Sequence, residues 1–387
     1  MRVAHVITRM ILGGAQENTL LNCEDLLRDY NDDVLLICGP SIGPEGSLLE
    51  RAARSGVPLS ILDPLRRSIH PSRDWASYRA LRRVLAEFRP DVVHTHSAKG
   101  GMLGRMAADS LGIPAIIHTV HGAPWHPYQS PLAREFFKRC ERFAARRCHA
   151  LISVADAMTE LLVAAKIAPR ERFTTIYSGM EVEPFLAADE GRDALRAQLG
   201  YGPQHVVIGK VARLFHLKGH ADVIRAARTV CQQYPQARFL FVGDGILRSE
   251  LERQAQDAGL ADAIRFVGLI PPSEVARYIG AMDVVVHASL REGLARVLPQ
   301  GLIAGKPVIS YDVDGAREVV KSGETGFLIP PQDVSALAGA LNQLIADPAL
   351  RTKLGAEGRR RYTDQFRHQE MTRRIRELYE QCLAARG

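Results

Sequence analysis

Residues 181–211 read EVEPFLAADEGRDALRAQLGYGPQHVVIGKV, and the change of pattern inside this stretch divides the chain. Before it, short runs rich in Val and Ile alternate with longer amphipathic segments. The runs are Val3–Ile7, Val34–Cys38, Leu59–Leu62, Val92–His96, Ala115–Val120, Ala150–Val154 and Thr174–Tyr177. From about Glu181 to Gln204 the strand signal lapses into a polar, helix-prone segment closed by Gly200-Tyr201-Gly202-Pro203, turn residues suited to a linker. At Val206–Val211 the signal restarts, and Phe239–Val242, Ile264–Val267, Val284–His287, Val308–Ser310 and Phe327–Ile329 continue it. Short apolar runs alternating with amphipathic segments are the pattern of βαβ units. Two successive series therefore predict an α/β chain of two doubly wound domains, residues 1–190 and 191–365. Ligands are expected where the carboxyl ends of the strands face the interdomain cleft. After Asp347-Pro348 the pattern is helical, with Phe366, Met371, Ile375, Leu378, Tyr379 and Cys382 spaced as one apolar stripe.

Composition agrees with two folded domains. The 387 residues are 46% hydrophobic and 24% charged, which excludes a disordered chain. Six cysteines, Cys23, Cys38, Cys140, Cys148, Cys231 and Cys382, lie far apart with no C-x-x-C pair, so reduced thiols are expected. The N-terminal MRVAHVITRM leads straight into a strand without the pattern of a secretory signal. No run approaches the roughly eighteen apolar residues of a spanning helix. A cytoplasmic protein is the expectation.

The net charge is +7, with ten basic against five acidic residues after Leu350. That surface favours anionic partners, but no basic run is interleaved with aromatics, so nucleic acid is not an expected partner.

Three segments carry candidate chemistry. Gly13-Gly14 follows the first strand and opens a helix, where backbone N–H groups approach a phosphate at the positive helix end. The spacing fails the G-x-G-x-x-G dinucleotide fingerprint, which argues against a nicotinamide oxidoreductase. Next, Lys210 to Gly219 reads KVARLFHLKG, placing Arg213 and Lys218 just past the first strand of the second domain. Two cations there suit a diphosphate whose charge grows as a bond to it breaks. Third, Ser289 to Gly301 reads SLREGLARVLPQG, again after a strand. Glu292 and Gln300, eight residues apart, are spaced to meet successive parts of one elongated polar ligand. The intervening backbone of Leu294 to Leu298 offers N–H donors.

Together these segments resemble the retaining GT-B glycosyltransferases of family 4, the glycosyl transferases group 1. The marks are R-x-x-x-x-K-G at Arg213–Gly219, FLFVGDGILRSELE at Phe239–Glu252, and the E-x7-E region followed by Gly305-Lys306-Pro307-Val308-Ile309 and Thr325–Pro331. DVVHTHSAKGGMLGRMAA at Asp91–Ala108 and IIHTVHG at Ile116–Gly122 look like the family's acceptor-side domain. The resemblance implies the GT-B architecture, with residues 366–387 forming a helix that crosses back to pack on the N-terminal domain.

It also implies metal-independent, retaining transfer of a sugar from a nucleotide diphosphate donor, a UDP-sugar before others, to an acceptor hydroxyl. Such a hexosyl- or N-acetylhexosaminyl-transferase would serve polysaccharide or glycolipid synthesis and need no cofactor. By motif match, Arg213 and Lys218 clamp the diphosphate and Glu292 bonds donor-sugar hydroxyls. Gln300 meets the ribose, while Gly293, Leu294, Ala295, Arg296, Val297 and Leu298 line the donor. Gly13 and Gly14 complete the phosphate site, and His121 stands beside the reacting centre. The chain departs from the pattern at Gln300-Gly301, where Glu-Ala is usual, and at Leu294-Ala295-Arg296, where Phe-Gly and an aliphatic residue are usual. A neutral amide in place of a carboxylate implies weaker nucleotide binding.

Asp312-Val313-Asp314 spells D-x-D, a metal-diphosphate motif in the other glycosyltransferase fold, but a turn or helix cap is the expected role. His94, His96, His118 and His121 gather at two strand ends without a closed zinc ligand set, so no metal is expected. In Pro131–His149, Arg134, Lys138, Arg142 and Arg146 recur every four residues beside Phe136, Phe137 and Phe143. This basic stripe predicts peripheral contact with an anionic membrane, at the inner face of the cytoplasmic membrane if the acceptor is a lipid-linked sugar. Two other readings stay open: a sugar-nucleotide epimerase, and a non-catalytic nucleotide-binding relative.

Overall fold

A computed structural model describes residues 1–42, 46–126 and 129–385. The predicted 366–387 segment therefore has its last two residues outside the described part. Parallel strands form two sheets. The first contains β1 (Arg2–Arg9), β2 (Asp33–Gly39), β3 (Leu59–Ile61), β4 (Val92–His96), β5 (Ala115–Val120), β6 (Ala150–Ser153) and β7 (Phe173–Thr175), in the order β3-β2-β1-β4-β5-β6-β7. The second contains β8 (Val206–Val211), β9 (Ala237–Val242), β10 (Ile264–Gly268), β11 (Val284–His287), β12 (Val308–Tyr311) and β13 (Gly326–Ile329), in the order β10-β9-β8-β11-β12-β13. Every run singled out from the sequence is a strand. The reason is physical: a parallel strand covered by helices on both faces must be apolar along its length, and Val3, Val6, Val92, Val207 and Val285 are fully buried.

In each sheet the strand order reverses beside the first strand, at β1/β4 and at β8/β11. Loops leaving the carboxyl ends of these strands diverge there and leave a crevice, the usual ligand position of a doubly wound sheet.

The chain divides into two compact units, residues 1–180 with 366–387, and residues 181–365. The first changeover falls at Met180/Glu181, about ten residues before the boundary read from composition. Residues 181–190 belong to the second unit because their helix Glu183–Leu186 packs on the helices Val275–Gly280 and Val297–Ile303. Ion pairs fasten the join: Lys306 to Asp189 at 2.5 Å, and Arg192 and Arg196 to Asp283 at 2.6 and 3.0 Å.

The last helix, His368–Ala384, packs on the helix Gly14–Tyr30 and places Met371, Ile375, Leu378 and Tyr379 in the first unit's core. Asp25, wholly buried, anchors it by accepting from His368 Nδ1 and Thr372 Oγ1, both at 2.8 Å.

Candidate active site

In the second unit, the loops leaving β8 and β11 are joined by their backbones. Leu217 and Gly219 both adopt positive φ, +66° and +67°. Any Cβ at Gly219 would stand 1.8 Å from the Ala288 carbonyl oxygen, so only glycine fits this turn. The turned loop presents the Leu217 carbonyl to the Leu290 N–H at 2.8 Å and to Ser289 Oγ at 3.1 Å. Lys218 thereby meets Glu292, Nζ to Oε1 at 2.5 Å, with each side chain about one-fifth exposed. His287 Nε2 lies 3.3 Å from the same oxygen. From the other side Asp314 Oδ2 accepts the Glu292 backbone N–H at 2.6 Å, and the Gly315 N–H donates to Gly293 O at 3.0 Å.

The electrostatics of this cluster follow from burial. Burial pushes the Glu292 carboxyl upward, but the adjacent His287 and the Lys218 bond and charge outweigh it and hold the group well below the ordinary carboxylate range. Beneath the pair, Lys210 on β8 is fully buried, and its Nζ has no hydrogen-bond partner among the described residues. Burial, reinforced by the Lys218 charge, lowers its amine to about 7. Neighbouring His220 and His287 are kept neutral chiefly by burial.

The other motif residues are distributed around this centre. Arg213 is exposed, its guanidinium 5.0 Å from the Phe215 ring centroid, and it forms no ion pair among the described residues. Gly293, Leu294 and Arg296 are half-buried in the loop before the helix Val297–Ile303, while Ala295, Val297 and Leu298 are buried. Glu292 precedes that helix rather than belonging to it, so it and Gln300 do not share a helical face. The N–H of Leu298 donates to Ala295 O at 3.1 Å and is not a ligand donor in this arrangement. Gln300 is half-buried on the helix. Gly301 packs so closely on Val285 and Val308 that a Cβ would meet their methyl groups at 3.0 and 3.1 Å.

In the first unit, Gly13 is extended and caps the helix Gly14–Tyr30, placing the Gly13-Gly14 pair at a helix start beyond β1. His121 directly follows β5. It ends a row of imidazoles: His5 Nδ1 lies 3.1 Å from His96 Nε2, and His96 Nδ1 lies 3.2 Å from His121 Nε2. Strand register builds the row by aligning His5 with His94 and His96 with Thr119. Burial holds His5 at about 3, and His94 and His96 well below the usual imidazole range, so these three are neutral at physiological pH.

Among the described residues, His5, His94 and His96 are the histidine set close enough to share a metal ion. Both nitrogens of His94 already meet hydroxyls, Tyr379 at 2.5 Å and Thr119 at 2.7 Å, so an ion would displace a formed hydrogen bond. The Asp312-Val313-Asp314 segment divides likewise, since Asp312 pairs with Arg317 at 3.0 Å while Asp314 holds the Glu292 loop.

The model for glycosyl transferases group 1 matches residues 191–361, and that for the glycosyl transferase 4-like domain matches residues 13–179. A putative glycosyltransferase EpsD of Bacillus subtilis is 30% identical over 305 residues, covering 77% of this chain and 78% of that one. The chain belongs to the group 1 glycosyltransferases. A UDP-Gal:alpha-D-GlcNAc-diphosphoundecaprenol alpha-1,3-galactosyltransferase of Escherichia coli is 28% identical over 382 residues, covering 98% of this chain and 96% of that one. In fold, Anabaena Alr3699/HepE in complex with UDP superposes with a TM-score of 0.82 at 21% identity, covering 98% of this chain and all of that one. The fold is GT-B.

The structure brings Lys218 and Glu292 together and places Lys210, His287 and Asp314 around them, residues that sequence reasoning did not assign to the site. Only the position of Lys210 within an otherwise apolar strand signalled it. The predicted basic stripe also needs correction. Helix Pro131–Ala145 points Leu132, Phe136 and Phe143 outward, 85, 52 and 39% exposed, so apolar side chains share the exposed surface with Arg139 and the following Arg146, while Arg134 and Lys138 are half-buried. Arg142 is turned away to Glu135 Oε1 at 2.9 Å and to the Ala165 carbonyl.

Proposed function

We propose that this glycosyltransferase transfers a sugar from a UDP-sugar to a hydroxyl of a lipid-linked sugar, retaining the anomeric configuration and using no metal. The observation that carries the reading is the Lys218–Glu292 pair at the switch point of the second sheet. One cation there faces the departing diphosphate, and one carboxylate accepts from the hydroxyls of the transferred sugar. Arg213, exposed and without a carboxylate partner, supplies the second positive charge. Its fork matches phosphate geometry. Gln300 accepts from the ribose, Leu294 to Val297 border the donor, and Gly13-Gly14 offers backbone N–H groups to phosphate. In the first unit His121 bonds the transferred sugar.

In the step itself the bond between the anomeric carbon and the diphosphate oxygen breaks. The acceptor oxygen bonds the same carbon from the same face, and its proton passes to the departing phosphate oxygen. No enzyme nucleophile takes part. The E. coli relative's name specifies a lipid diphosphate acceptor, which supports that acceptor class here. The apolar row Leu132, Phe136 and Phe143, with Arg139 exposed among it, suits peripheral contact with the membrane carrying such an acceptor. A cytoplasmic location at that membrane follows.

The test pairs binding with product analysis. UDP is expected to raise the melting temperature equally with and without EDTA. Transfer to a polyprenyl diphosphate sugar is expected to give the donor's anomer by NMR. Lys218→Ala and Arg213→Ala should each lower kcat about 10²- to 10³-fold, the effect of removing one preorganised donor. A UDP shift abolished by EDTA, an inverted product, or unchanged turnover in both variants overturns the reading.

A further inference from the structure

In the first unit, at the carboxyl ends of β1, β2 and β3, lies an open cavity of about 610 Å³. Its lining includes Arg9 from β1, Ile42 from beyond β2, Arg66, Arg67 and Ser68 from beyond β3, and Arg73 from the first turn of the helix Pro71–Phe88. The size falls within the roughly 300–1,000 Å³ typical of small-molecule sites. Among the described residues, four guanidinium groups and one carboxylate, Asp63, border it.

These arginines are placed rather than loose. Arg9 Nη1 donates to Ile42 O at 2.9 Å, Arg66 Nε to Asp63 O at 2.7 Å, and Arg73 Nη2 to Ser68 Oγ at 3.2 Å. Lys99 fastens the loop by donating to the Ser68 carbonyl, and it pairs with Asp74 at 2.6 Å. Nearby surface arginines are neutralised: Arg51 by Glu24 and Arg54 by Glu50, each at 3.0 Å. By contrast Arg66, Arg67 and Arg73 form no ion pair among the described residues. Like charges gathered around a cavity repel one another, and an anion seated among them relieves that repulsion.

The surroundings specify which anion. Ile42 lines the cavity and is 59% exposed, while Ile69, next in sequence to Ser68, and Trp75, two residues after Arg73, are 67 and 61% exposed, and Trp75 stacks on Tyr78. Exposed aliphatic side chains with a tryptophan beside arginines are the composition of a membrane-contacting surface. A free sugar nucleotide has no use for that rim, and the proposed donor site lies in the second unit.

We propose that this cavity binds the diphosphate of a lipid-anchored acceptor, with Arg9, Arg66, Arg67 and Arg73 gripping the phosphates and Ile42, Ile69 and Trp75 entering the lipid surface. The proposal deepens the functional reading above and rests on it for calling this ligand the acceptor. The binding itself is measurable without catalysis.

The experiment is vesicle sedimentation of the full chain. Phosphatidylcholine vesicles carrying a polyprenyl diphosphate are compared with vesicles of equal surface charge carrying phosphatidylglycerol. Wild type is expected to prefer the diphosphate vesicles and to be displaced from them by inorganic pyrophosphate. Arg66→Gln/Arg67→Gln/Arg73→Gln is expected to lose that binding at least tenfold per guanidinium, roughly, as charged hydrogen bonds predict. Its melting temperature and UDP-induced shift should stay unchanged, and in turnover its KM for acceptor, not donor, should rise. Equal binding to both vesicle types, or full retention by the triple variant, overturns the proposal. Intact diphosphate binding in a chain that transfers no sugar instead refutes the functional reading and leaves the anion site standing.

Discussion

Replacing Lys210 by methionine should stabilise the protein, by an amount that depends on pH in a calculable way. The Lys210 amine is fully buried and without a partner, and its pKa falls from 10.5 to about 7 in the folded state, chiefly through burial. Below pH 7 both states carry the proton and the folded chain bears the full cost of a buried ammonium. As pH rises from 7 towards 10.5 only the unfolded chain remains charged, and above 10.5 neither state is. Because the unfolded state binds more protons across that window, wild-type stability gains there. At 1.36 kcal/mol per pH unit, the difference amounts to about 5 kcal/mol. Methionine removes the amine while keeping most of the volume. Lys210→Met should therefore exceed wild type by several kcal/mol at pH 6, and the excess should shrink steadily towards pH 10. The assay is urea unfolding of both proteins at pH 6, 8 and 10, read as the difference in midpoint. The charges of Lys218, Glu292 and Asp222 act on the amine itself and are already contained in its value of about 7. A methionine variant less stable at pH 6, or an excess that does not change with pH, refutes the argument.

Three further outcomes are expected. Asp25→Ala removes the acceptor of His368, Thr372 and Arg28 and should cost about 3–5 kcal/mol, as breaking a buried pair does. A thermal melt checks this, with a loss of roughly 6–20 °C expected. In the imidazole row, His5 Nε2 has no partner, and an unpartnered lone pair is tolerated better than an unpartnered N–H. Each ring then carries its proton on Nδ1, and ¹⁵N NMR should find His121 as the Nδ1–H tautomer in wild type and His96→Asn but not in His96→Leu. Gln300→Glu should lower the Kd for UDP severalfold by calorimetry, since a charged acceptor roughly doubles the strength of the ribose bond.

How much of this was legible beforehand depends on the range over which each feature is encoded. A buried parallel strand is written in consecutive residues, and so the strands could be read directly from apolar runs, whereas the strand order that sets the switch points could not. The Lys218–Glu292 meeting is written in two motifs 74 residues apart, each marked by its own glycine, Gly219 and Gly293. Resemblance joined them where spacing could not. The features that escaped have no local mark. Lys210 differs from a strand residue only by its amine, and Asp314 looks like any turn aspartate until its carboxylate is seen to accept the Glu292 N–H.

The two basic surfaces make the same point from opposite sides. A four-residue period in Arg134, Lys138, Arg142 and Arg146 looked like a membrane stripe, yet Arg142 is turned onto Glu135, and Leu132, Phe136 and Phe143 share the exposed surface with Arg139 and Arg146. In the cavity of the first unit, Arg9, Arg66, Arg67 and Arg73 have no period at all, because two strand ends and a helix start bring them together. Charge arranged along one helix is visible in sequence and easily neutralised by its own neighbours. Charge assembled by topology is invisible in sequence, and here Arg66, Arg67 and Arg73 have no carboxylate partner among the described residues. A diphosphate ligand is the chemistry such a set fits, and this makes the cavity, rather than the helix, the place to look for acceptor specificity.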